Sequence, residues 1–94
     1  MKRISSLLSE YDGRIYIFLE DEKTKNKFVK QAILEGFTFS DGVNLSSRSI
    51  DNIIAINRNL TVNFVGTIGR IAFQCADKIG NEKLHKINYK ELMW

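Results

Sequence analysis

The sequence predicts an α+β domain: a small antiparallel-rich sheet of four to five strands, one main helix packed on it, and a short N-terminal helix. Three observations carry this expectation. Within RIYIFLE, residues 14–20, Ile15, Ile17 and Leu19 alternate with Tyr16 and Phe18, and the pattern then switches to a helical period. Two β-rich runs flank an Asn-rich break near residues 57–59. Hydrophobic residues make up 44% of 94 positions, enough for one compact core, so residues 1–94 are expected to form a single domain.

Taken in order, Ile4, Leu7, Leu8 and Tyr11 follow i, i+3, i+4, i+7 and predict a helix over residues 3–12, with Gly13 as its stop. RIYIFLE, residues 14–20, is apolar on both faces and reads as a central strand. In DEKTKNKFVKQAILEGF, Phe28, Val29, Ala32 and Ile33 form one face and four lysines populate the rest. Asp21 or Thr24 caps this main helix and Gly36 ends it, with Phe37 as the following apolar contact. FTF then predicts a short strand leading into the turn Ser40-Asp41-Gly42. Residues 43–51 read as the one long polar loop, with Ser49 starting a brief turn toward Ile53. NIIAIN and LTVNFV form the predicted hairpin. Leu60, Val62 and Phe64 face one way, Thr61 and Asn63 the other.

Residues 67–79 admit two periods. Ile71, Phe73 and Cys75 alternate as a strand, while Ile68, Ile71, Ala72, Cys75 and Ile79 make a helical stripe. Gly69 weakens the helix by about 1 kcal/mol and Phe73 falls off its stripe, so the strand is preferred. KIGNEK then turns into a last strand in which Leu84, Lys86 and Asn88 oppose His85, Ile87 and Tyr89.

Composition narrows the function classes. No apolar run approaches the roughly 18 residues needed to cross a bilayer, and Lys2 and Arg3 are not followed by an apolar signal core. A cytoplasmic protein without a membrane partner is expected. Fourteen basic against eleven acidic residues give +3, mildly basic. The lone Cys75 reads as a small buried hydrophobe, and its one available base, His85, is not brought near it by anything in the sequence. With no second histidine, no nucleophile motif and no metal-ligand spacing, the expectation is a protein that is not an enzyme, with no cofactor and no metal.

Gly66-Thr67-Ile68-Gly69 is similar to the G-x-x-G loop of KH nucleic-acid-binding domains. That loop joins two helices, however, and here the preceding segment reads as a strand, so a bend between strands is preferred. The best small-ligand site is NLSSRS. Ser46, Ser47 and Arg48 can hold a phosphate or carboxylate, since the guanidinium forks onto two oxygens and hydroxyls complete the shell. Arg58 and Arg70 would add charge if they lie nearby. Against this stands the plainer reading of a solvated loop. For protein contacts the aromatic anchors are Tyr11, Tyr16, Tyr89 and Trp94.

With GFTFSDG (Gly36 to Gly42) and VNFVG (Val62 to Gly66), the chain resembles short proteins of phages and mobile elements of low-GC Gram-positive bacteria. These pair such a strand start and Asp-Gly turn with a later Asn-aromatic-Val-Gly strand end. The likeness spans residues 14–75 and implies a setting, namely small proteins that act by binding host components. The leading expectation is therefore a non-enzymatic inhibitor of a host protein, a defence nuclease among the candidates. The alternative is a nucleotide- or nucleic-acid-binding domain built on the Arg/Ser site, with a homo-oligomer enclosing the ligand.

Overall fold

The computed structural model describes residues 3–76 and 78–93. In chain order these form α1 (Ile4–Glu10), β1 (Arg14–Phe18), α2 (Glu22–Leu34), β2 (Thr38–Phe39), a 3₁₀ turn (Leu45–Ser47), β3 (Ile53–Asn57) and β4 (Thr61–Phe64). There follow α3 (Gly66–Cys75), β5 (Lys78–Ile79), β6 (Glu82–Asn88) and α4 (Tyr89–Met93). The class is α+β. Five strands lie in the order β2-β4-β3-β1-β6, and the two-residue β5 folds back on the start of β6.

The sheet is mixed, which corrects the antiparallel-rich expectation. β1 runs antiparallel to β3 (Ile15 opposite Ile56, Ile17 opposite Ile54) but parallel to β6 (Ile15 opposite His85, Ile17 opposite Ile87). β2 is likewise parallel to β4. Parallel neighbours need long crossovers, and periodicity within a strand carries no trace of which distant strand will lie beside it.

The alternation in β1 places its residues on two faces, as its sequence requires. Ile15 and Ile17 join Ile54, Ile56 and Val62 under α1 and α2, where Ile4, Leu7, Phe28 and Ala32 are fully buried. Tyr16 and Phe18 point the other way, with Ile53, Ala55 and Leu84, against Val65, Ala72 and Phe73. The second face belongs to α3, so the sheet carries helices on both sides rather than one.

The α3 helix corrects the strand preference for residues 67–79, and the glycine pair explains why. Gly66 has φ +67 and turns the chain out of β4, bringing Val65 beneath the new helix. At Gly69 any Cβ would overlap Val65, whose Cγ2 would lie 2.9 Å away. The motif is thus a strand-to-helix corner. The cost of about 1 kcal/mol for a helical glycine is smaller than the roughly 1.5–3 kcal/mol from burying one large apolar side chain. Phe73, with its ring centroid 6.1 Å from that of Phe18, is in that packing. Cys75 sits exposed near the end of α3, not buried as expected.

Asp21 is the cap of α2: its Oδ1 accepts from the Thr24 amide at 2.8 Å and the Thr24 hydroxyl at 2.7 Å. At the other end the Gly36 amide donates to Ile33 and the Phe37 amide to Ala32, closing the helix with Phe37 buried. α1 is shorter than predicted and its last carbonyls are not met by Gly13. Instead side chains clip both ends. Glu35 accepts from the Ile4 and Ser5 amides at 2.8 and 2.7 Å, while Arg58 donates to the carbonyls of Leu8, Tyr11 and Gly13.

Candidate anion-binding cleft

Glu22, Lys25, Asn26 and Val29 follow i, i+3, i+4, i+7 on α2 and so share one face. That face meets the segment from Leu45 to Ile50. Leu45 is fully buried and Ile50 nearly so, which pins both ends of the loop to the core. Between the pins, Asn44 organises the turn. Its Oδ1 accepts from the Ser46 amide at 2.9 Å and the Ser46 hydroxyl at 2.7 Å, and its carbonyl accepts from the Ser47 hydroxyl at 2.7 Å. The turn therefore starts at Asn44 and not at Ser49. The result is a cleft of about 320 Å³ lined by the α2 face and by Leu45, Ser46, Arg48, Ser49 and Ile50.

Two cations line it. The Lys25 side chain is only 15% exposed, and its Nζ lies 3.4 Å from Oε1 of Glu22, itself 83% exposed. That contact is long and solvent-exposed, so the ammonium keeps donors for a second anion. Arg48 places Nη2 2.7 Å from Oδ2 of Asp41 and its guanidinium carbon 5.0 Å from the Phe39 ring centroid. The Arg48 hydrogen bond, followed by one from the Val43 amide, holds the Asp41 carboxyl below its ordinary range. Hydroxyls, an amide and two cations on one concave wall are suited to a compact anion. The lining includes no histidine or cysteine to activate a nucleophile.

The structure joins some of the expected site residues and separates others. Ser46 and Arg48 line the cleft; Ser47 turns its hydroxyl to Asn44. Arg58 is engaged by the α1 carbonyls, and Arg70 on α3 lies 3.5 Å from Asp51. The three arginines thus answer to three different sets of partners. Ser49, the last residue of the NLSSRS stretch, also lines the cleft. Lys25 is not among the site residues expected from the sequence, although it borders the Phe28–Val29 stripe at the i−3 and i−4 positions.

Of the interface anchors, Tyr16 is 6% and Tyr89 1% exposed, so neither ring is offered to a partner in this fold. Tyr16 packs under α3, and Tyr89 stands edge-on to Phe28 with centroids 5.3 Å apart. Burial, with the Glu35 charge adding to it, pushes the Tyr89 hydroxyl up to about 12. Tyr11 is half-buried against His85, centroids 4.6 Å apart, and Trp94 lies outside the described residues. The large apolar side chains that do reach the surface include Phe64 and Ile71, 45% and 57% exposed.

Among the described residues no group of three or more His, Cys, Asp or Glu could share a metal ion, and no helix is long and apolar enough to cross a membrane. No family model, no curated protein and no solved structure matches the chain.

Proposed function

We propose that this chain is a small non-enzymatic binding protein of a bacterial host cytoplasm, and that its working site is the cleft between α2 and the serine–arginine loop. The ligand presents a phosphate group, as a nucleotide does. The observation that carries this reading is the pair of cations, Lys25 and Arg48, lining one concavity with Ser46 and Ser49. A phosphate reaching both gains a charge-assisted bond from each.

Titration with pyrophosphate and adenosine monophosphate, followed by amide chemical shifts, tests it. Saturable shifts confined to residues 22–29 and 44–50 are expected, with affinity reduced about tenfold by Lys25→Gln and by Arg48→Gln, the loss of one charge-assisted bond. Shifts scattered over every lysine, or parental affinity kept in both variants, would remove the cleft from consideration.

A second reading, a host-protein inhibitor, is favoured by one observation, exposed apolar surface contributed by Phe64 at the end of β4 and Ile71 on α3. Under it, Phe64→Ser with Ile71→Ser abolishes a stoichiometric complex captured from host lysate while the melting temperature is held. A complex retained by the double variant rules that surface out.

A further inference from the structure

The cleft carries its own anions. Each of its cations already sits against a carboxylate, Lys25 against Glu22 and Arg48 against Asp41. The two pairs differ in one respect: Glu22 belongs to the lining, whereas Asp41 does not. Arg48 therefore has one anion outside the cleft and would need to serve another within it. Asp41 is well placed to hold it. Its Oδ1 is fixed by the Val43 amide at 3.2 Å, the Gly42 amide closes the turn onto the Phe39 carbonyl at 2.8 Å, and the guanidinium lies over the Phe39 ring.

Resting on the cleft reading above, we infer that Asp41 is a built-in competitor that sets the affinity threshold of the site. Its carboxylate takes one guanidinium donor, Nη2, that a phosphate at Arg48 would otherwise use. A tethered carboxylate at bonding distance competes at an effective concentration no free anion matches. A ligand enters by exchanging Arg48 from Asp41 to itself, so the ion pair lowers the affinity for every anion by a common factor. That factor is bounded by what exposed pairs contribute, about 1.5- to 5-fold in the equilibrium constant.

The test is calorimetric titration of the full chain with pyrophosphate at fixed ionic strength. Asp41→Asn removes the charge and keeps an oxygen for the Val43 amide; Asp41→Ser is the second variant should the first fail to fold. Asp12→Asn, before β1 where the cleft follows it, removes the same charge elsewhere. The expected result is binding to the parent, about 1.5- to 5-fold tighter in the Asp41 variants, and unchanged within error in Asp12→Asn. Equal or weaker binding in the Asp41 variants overturns the competitor role while the cleft stands, and so does an equal gain in Asp12→Asn. Absence of binding in the parent and all variants defeats the cleft reading, and this inference with it.

Discussion

Removing the carboxylate of Glu35 is the sharpest test of how α1 is held. Its two oxygens accept from the Ile4 and Ser5 amides at 2.8 and 2.7 Å and from the Gln31 amide group at 2.6 Å. Hydrogen bonds to a charged group contribute roughly 1.5–3 kcal/mol each when fully sheltered. Glu35 is partly exposed, so water recovers much of that, and helix-capping losses of about 0.5–2 kcal/mol are the better guide. Glu35→Ala should then destabilise by about 2 kcal/mol, a fall of roughly 8–16 °C in melting temperature for a domain of this size. Glu35→Gln keeps one acceptor and should lose about half as much. The pH dependence supplies an internal check. Burial alone would raise this carboxyl, but the bonds from Ser5, Gln31 and Ile4 outweigh it and leave it below its ordinary 4.5. A depressed folded value means stability that is present above about pH 4.5 and lost as pH falls through the folded value. The difference between parent and Glu35→Ala should therefore narrow in acid. Urea unfolding at pH 7 and pH 3 measures both quantities. A difference below about 0.5 kcal/mol at pH 7, or an undiminished one at pH 3, would refute the capping account.

Other expectations follow from the same contacts. Arg58→Ala should cost about 1–2 kcal/mol by freeing the C-terminal carbonyls of α1, and combined with Glu35→Ala the losses should fall short of additive, read from a double-mutant cycle in urea. Gly69→Ala should destabilise by about 1–3 kcal/mol despite the better helix former, because the new methyl overlaps Val65; a rise in melting temperature would show that the corner has room to relax. Asp21, drawn down to about 2 by the Thr24 hydroxyl and amide bonds, should lose its contribution as pH falls from about 4 toward 2, an effect absent in Asp21→Asn when acid unfolding is followed by circular dichroism.

How far the sequence foretold this can be followed residue by residue. The double-sided apolar character of β1, the Asp21 cap, the Gly36 stop and the opposition of Leu84 to His85 were all legible, because each is decided by neighbours within a few positions. What was not legible depended on distant partners. The strand reading of residues 67–79 failed because Gly69 was weighed as helix propensity, whereas its lack of a side chain is what admits Val65. Lys25 read as one lysine among several on a solvated face, and only the fold brings the Leu45–Ile50 segment to the same cleft. The two tyrosines chosen as surface anchors are apolar bodies whose burial depends on α3 and α2 packing from opposite sides.

The position of β1 has a consequence for how the chain is made. Its two neighbours are residues 53–57 and 82–88, and neither is adjacent in sequence. During synthesis the hydrophobic strand is therefore complete before either partner exists, and its parallel partner is made after its antiparallel one. Closure of the loop between residues 18 and 82 precedes any return from that ladder. A chain in which residues 82–88 have not yet docked presents one bare edge of β1 beside β3, an invitation to foreign strands. The chain's vulnerability to aggregation thus lasts until residues 82–88 dock on β1, and the turn through Gly80 that leads into them is the step that ends it.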